Sequence, residues 1–139
     1  MKYNVFFIFL LTHFCQSSWS DQLLSIEFGK CFGNCPVYSL EIQSNGFFVF
    51  TDLKHKITRQ GKLDKENLIE LHQILSLIDF KESKKQHSNK LIRDLPRITI
   101  TYGEYNVNFF GRKSAPPPFI KLIKWADDYH QQQLSASLM

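Results

Sequence analysis

A chain of 139 residues with 43% hydrophobic content and 13 phenylalanines is long enough to bury one core and too short for two domains. Its formal charge of +4 suits a soluble protein and is too weak a balance to point to nucleic acid. No Gly-rich phosphate loop, His-Glu-x-x-His, Gly-x-Ser-x-Gly or four-ligand metal set occurs, so no motif argues for an enzyme and no cofactor is expected.

The first residues read as a secretory signal peptide. Lys2 supplies a short positive region, and residues 5–11 form an apolar run that fades at Thr12 and His13. That run is shorter than the roughly 20 apolar residues a spanning helix needs. Ser18 and Ser20 put small residues where a signal peptidase reads, so cleavage is expected before Asp21. The bulky pair His13-Phe14 ahead of Cys15 disfavours lipid attachment. The organisation expected is a signal peptide over 1–20 and a single domain over 21–139, with its core over about 24–130 and no transmembrane span after cleavage. Such a protein is exported, periplasmic or secreted. Cys15 departs with the leader, which leaves Cys31 and Cys35 as an even pair in an oxidising compartment.

Leu24, Ile26 and Phe28 alternate with Ser25 and Glu27, as in a half-buried strand. After the cysteine segment, Val37, Ser39 and Glu41 alternate with Tyr38, Leu40 and Ile42 in a second strand. Ser44-Asn45-Gly46 separates it from Phe47-Phe48-Val49-Phe50-Thr51, and Asn-Gly between two such runs predicts a hairpin because both residues tolerate positive φ. Residues 55–59 read as a further short strand before Gly61. Asp64 caps a helix whose apolar face is Leu68, Ile69, Leu71, Ile74, Leu75 and Ile78.

Residues 81–93 hold Lys81, Lys84, Lys85, Lys90 and Arg93 without apolar rhythm, which predicts an exposed loop. Residues 97–102 and 105–110 then form a second hairpin around Gly103-Glu104, with Ile98, Ile100, Tyr102, Val107 and Phe109 inward. Pro116-Pro117-Pro118 precedes a last helix, 119 to about 133, with Ile120, Ile123, Trp125, Ala126 and Tyr129 inward and residues 134–139 frayed. The fold class expected is α+β, an antiparallel sheet built from hairpins with two helices packed on one face.

The chemistry concentrates at Cys31-Phe32-Gly33-Asn34-Cys35-Pro36-Val37-Tyr38. Fully extended, the two cysteines would stand about 13 Å apart, whereas a disulfide needs their Cα atoms within about 7 Å. Gly33 and Asn34 accept the left-handed conformations such a turn needs, and Pro36 directs the chain into the next strand. Closing so short a ring stabilises by about 2 kcal/mol. A structural clip, a thiol-redox pair and a copper(I) site all fit the pair at this level. Cys-x-x-x-Cys-Pro resembles the copper site of thioredoxin-like copper chaperones, but the alternating strand-helix order of that family is missing and His55, His72, His87 and His130 are scattered. A thiol oxidoreductase places Cys-x-x-Cys at a helix start; here a strand follows.

Among the acids, Asp127 and Asp128 point to different sides of a helix and read as its solvated end, and Glu66 and Glu70 read as an exposed stripe. Asp94, ahead of Leu95-Pro96, is placed to accept backbone amides and fix the entry of the following strand.

The cysteine motif, followed by Ile42, Gly46, Gly61, Asp94-Leu95-Pro96 and a Pro-led final helix, resembles the bacterial domain of unknown function family numbered 6438 over residues 24–128. The resemblance implies an exported single-domain α+β protein and supplies no catalytic residues. Its motif positions are Cys31, Gly33, Cys35, Pro36, Tyr38, Asp94 and Pro96. The function expected is a non-catalytic binding or structural envelope module clipped by Cys31 and Cys35, with a thiol-redox or copper(I)-handling protein as the alternative. Its partner would be an envelope or extracellular protein, a glycan or a small ligand.

Overall fold

Period-two alternation builds the sheet, and the computed structural model, described here for residues 22–86 and 95–137, shows six strands. They are β1 (Gln22–Phe28), β2 (Tyr38–Gln43), β3 (Phe47–Asp52), β4 (Ile57–Lys62), β5 (Arg97–Tyr102) and β6 (Tyr105–Phe110). The spatial order is β4-β3-β2-β1-β5-β6, and every neighbouring pair is antiparallel. Among the described residues three α-helices accompany the sheet, α1 (Lys65–Ser76), α2 (Phe80–Gln86) and α3 (Pro117–Ser135), with a 3-10 turn at Arg112–Ser114 ahead of α3.

Register aligns the apolar residues into rows on one face. Ile26 stands opposite both Leu40 and Ile100, Leu40 opposite Phe50, and Ile100 opposite Val107. All five are buried, and α3 lies across them. Phe119 of α3 packs on Phe109 at 5.0 Å, while Tyr129 meets Phe48 edge-on at 5.4 Å. Leu71, Ile74 and Leu75 of α1 join the same core. Burying each such side chain is worth about 1.5–3 kcal/mol, which gives these rows their hold on register. The outward face alternates with it and carries polar residues such as Glu27, Ser39, Glu41, Thr99 and Thr101.

Both hairpins form as the sequence predicts, with a refinement at the first. Gly46 takes φ +81° and donates its amide to Gln43 at 2.9 Å, while Asn45 keeps negative φ and uses its side chain to accept from Phe47 N at 2.8 Å. The connection is therefore a three-residue loop in which the glycine alone is left-handed. Asp64 caps α1 by accepting from Asn67 N at 2.8 Å.

Four expectations are corrected. The basic segment expected as a loop starts as α2, because Asp79 accepts from Glu82 N at 3.0 Å and Phe80 anchors the turn, stacked on Tyr102 at 4.6 Å. Ile69 of α1 is exposed, since it lies about 200° around the helix from Leu71 and misses the Leu71, Ile74, Leu75, Ile78 stripe. Ile120 of α3 is exposed for the same reason, being one residue past Phe119 on the Phe119, Leu122, Ile123, Ala126 stripe. Residues 134 and 135 are the last of α3 rather than a frayed tail. Lys90, Arg93 and Asp94, with the strand-entry role read for Asp94, lie outside the described residues.

Candidate functional site

β1 ends where Gly29 donates its amide to the Arg97 carbonyl at 2.8 Å, and the chain then enters the cysteine loop. Cys31 and Cys35 are joined in a disulfide with their Cα atoms 6.0 Å apart. Gly33, at φ +127°, makes the turn between them, a conformation that side chains rarely adopt. Pro36 follows the ring and Tyr38 begins β2. The loop leans on the β3–β4 turn, where Lys54 Nζ donates to Asn34 Oδ1 and Leu53 N donates to the Val37 carbonyl at 2.9 Å.

Over this end of the outward face lies a cleft of about 480 Å³, lined by the polar residues Glu27, Lys30, Ser39, Arg97 and Thr99 and by Phe28, Gly29, Val37, Tyr38 and Leu53. The floor follows from register: Ser39, Glu27 and Thr99 stand side by side on β2, β1 and β5, and Gly29 lies one row further on. A Cβ at Gly29 would come within 3.2 Å of the Arg97 carbonyl oxygen, so glycine is what lets the chain approach Arg97 this closely at the edge of the floor. A second cleft of about 320 Å³ continues along the ring past Lys30, Asn34 and Lys54.

Arg97 is held in place from the side. Its Nε donates to Asn108 Oδ1 at 3.1 Å, and Thr99 Oγ1 donates to the same oxygen at 2.8 Å. Asn108 in turn donates to Asn106 at 3.1 Å, and Asn106 to Thr101 at 2.8 Å. This ladder fixes one edge of the guanidinium and leaves its Nη groups able to meet a ligand. The cleft thus offers cations, one carboxylate and hydroxyls on a preformed floor, an equipment suited to holding a polar ligand.

Beneath the cleft, the inward side of β2 carries a second arrangement that joins sheet to helix. Tyr38 stacks on Phe28 at 4.4 Å and on His130 at 4.3 Å, and its hydroxyl donates to Asp127 Oδ1 at 2.9 Å. Burial and the Asp127 carboxylate both push the Tyr38 phenol up, so it is a neutral donor. Arg112 grips Asp127 with two bonds, Nε to Oδ2 at 2.7 Å and Nη2 to Oδ1 at 2.8 Å, and lies 5.0 Å over the Phe28 ring. That pairing pushes the Arg112 guanidinium up, against the opposite pull of its partial burial. The solvated-end reading of Asp127 is therefore corrected; Asp128 next to it is exposed.

Asp52, 1% exposed, receives two imidazoles on one oxygen: His130 Nε2 at 2.7 Å and His55 Nδ1 at 3.0 Å, with His55 N donating to its other oxygen at 2.7 Å. Burial raises this carboxyl, but the bonds from His55 and His130 outweigh it and hold it at about 2. His130 is 3% exposed and packed between rings, which makes it a fixed element of the core rather than a group that reaches a substrate. Neither histidine approaches as a third ligand to the cysteine pair, and among the described residues no group of three His, Cys, Asp or Glu side chains is arranged to hold a metal.

The structure gathers Cys31, Gly33, Cys35 and Pro36 in one loop and sends Tyr38 into the core below it. Pro96 accepts from Gly111 N at 2.9 Å at the start of β5, on the same end of the sheet. The Asp52–His130 and Arg112–Asp127 pairs escaped the sequence reading. Asp52 continues the inward series Phe48, Phe50, and His130 continues the α3 stripe, so both positions announce buried polar groups once the elements are aligned. The family model described as a domain of unknown function, DUF6438, matches residues 22–130. No curated protein matches the chain.

Proposed function

The chain belongs to the DUF6438 family, and we propose that it is an exported, non-catalytic binding module that receives its ligand on the outward face of the sheet, beside the Cys31–Cys35 clip. The observation that carries this reading is the cleft over Gly29, with Arg97 anchored by Asn108 and with Lys30, Glu27 and Ser39 around it. A preformed pocket with a few convergent polar groups is what a binding site needs.

Export is supported by the leader pattern of residues 1–20 and by a disulfide, a bond that persists in oxidising compartments. Among the described residues no helix is long and apolar enough to cross a membrane. The clip reading is supported by the ring itself: with both sulfurs bonded to each other, neither is a thiolate ligand for copper(I) until the ring is opened, and a strand rather than a helix start follows the pair, so no helix dipole activates it. The ligand class is an envelope or extracellular protein, a glycan or a small polar molecule.

Native mass spectrometry of exported protein tests the reading in one measurement. The chain is expected to begin at Asp21, to hold no free thiol, and to carry a bound species that is lost in Ser39→Tyr, a change that fills the cleft floor. Retention of Met1 or a lipid on Cys15 would sink the export proposal. Titratable thiols, bound copper, or a bound species indifferent to Ser39→Tyr would sink the binding-module reading in favour of thiol or metal chemistry.

A further inference from the structure

We infer that the disulfide loop and the β3–β4 turn together form a tip that docks on an anionic lipid surface. β1 and β3 end, and β2, β4 and β5 begin, at one end of the sheet, which sets residues 29–37 beside residues 53–56. The Lys54–Asn34 bond and the Leu53–Val37 bond tie the two loops into one surface. That surface presents Phe32, 82% exposed, and Leu53, 63% exposed.

Charge at this end is one-sided. Lys30, Lys54, Lys56 and Arg97 are all exposed. The acids nearby are largely withdrawn: Asp52 is buried under two histidines, and Asp127 is half-buried in its bidentate pair with Arg112. Among the described residues the exposed acids near this end are Glu27, set a row back on the cleft floor, and Asp128 on α3. An apolar point ringed by cations matches a bilayer interface, where the ring enters the headgroup and acyl boundary while the ammonium groups meet lipid phosphates. A protein partner would have to bring its own pocket to Phe32, whereas the lysines around the ring need only a field of phosphates. The disulfide keeps that ring formed before contact, so docking orders little new chain.

Cosedimentation with vesicles tests this, using equal parts phosphatidylglycerol and phosphatidylcholine against phosphatidylcholine alone. Every variant carries the same N-terminus as the wild type, so differences report the tip. Binding is expected on the anionic vesicles only, weakening as salt rises. Phe32→Ala should lower the partition about tenfold, and Lys54→Gln with Lys56→Gln about tenfold or more. Lys62→Gln with Lys65→Gln removes the same charge from the opposite end, next to the Gly46 turn, and should leave binding unchanged. The proposal is overturned by equal binding to both vesicle types, by no binding to either, or by Phe32→Ala behaving as wild type. It is equally overturned if the Lys62 and Lys65 variant loses as much as the Lys54 and Lys56 variant. A protein partner lost in Phe32→Ala, with no vesicle binding, would assign the tip to protein recognition instead.

Discussion

Tyr38 carries the join between the cysteine motif and the rest of the molecule. Its ring is held between Phe28 and His130, and its hydroxyl shares the Asp127 carboxylate with Arg112. Removing different members of this trio should therefore cost different amounts. Tyr38→Phe deletes one buried donor and leaves Asp127 with Arg112, so a loss of about 1 kcal/mol is expected. Asp127→Ala strands both the phenol and the guanidinium, and about 2–3 kcal/mol is expected, because a buried donor left without a partner costs its desolvation in full. Urea denaturation measures both. Equal losses would mean that the Arg112–Asp127 pair adds nothing beyond the hydroxyl bond, and no loss in Tyr38→Phe would mean that the hydroxyl bond contributes nothing beyond ring packing.

At the scale of elements, the two short loops at opposite ends of β2 make separable predictions. Gly46 is left-handed at φ +81°, and a Cβ there would meet Leu68 at an ordinary 3.5 Å, so any penalty comes from the backbone rather than from crowding. Gly46→Val should cost more than about 1 kcal/mol, and an unchanged denaturation midpoint would count against the turn. Cys31→Ser with Cys35→Ser should cost roughly 1–3 kcal/mol by freeing the unfolded chain, with the fold kept. Full stability together with lost disulfide exchange would make the pair reactive chemistry instead. What made the strands, the Asp64 cap and the Gly46 turn legible in sequence is that each depends on residues within a few positions of one another. α2 was hidden because its one apolar anchor, Phe80, sits at the very start of a charged run, and its partners Tyr102 and Phe119 come from far along the chain. Arg112 and Asp127, fifteen residues apart across a turn, and Asp52 and His130, seventy-eight apart, were illegible for the same reason. The cysteine ring was legible as a ring; the cleft beside it was not, since Gly29, Ser39 and Arg97 become neighbours only through sheet register.

Among the described residues the fold is two layers, and Asp52 is a polar rivet between them beside the Tyr38–Asp127 bond, with its carboxylate on β3 and one of its partners, His130, on α3. This predicts how the protein responds to acid. Its folded carboxyl lies at about 2, below the ordinary 3.8, so the folded state binds a proton there less readily than the unfolded chain does. A depressed carboxyl stabilises the fold above its unfolded pKa, and the stabilisation is lost as pH falls through the folded value. The window therefore runs from about pH 4 down to about pH 2, and the amount lost is on the order of 2 kcal/mol. Asp64 is also held low, by its bonds to Asn67, and titrates in the same direction, but it is common to the wild type and any Asp52 variant and cancels between them. Asp52→Asn should consequently be less stable than the wild type by about 2 kcal/mol near neutral pH, with the gap closing as the wild type loses its carboxylate. Urea midpoints measured across that range decide it. If the two curves run parallel from neutral pH to about 2, the carboxylate does not join the layers by charge, and its two histidine bonds are no stronger than those of an amide in the same place.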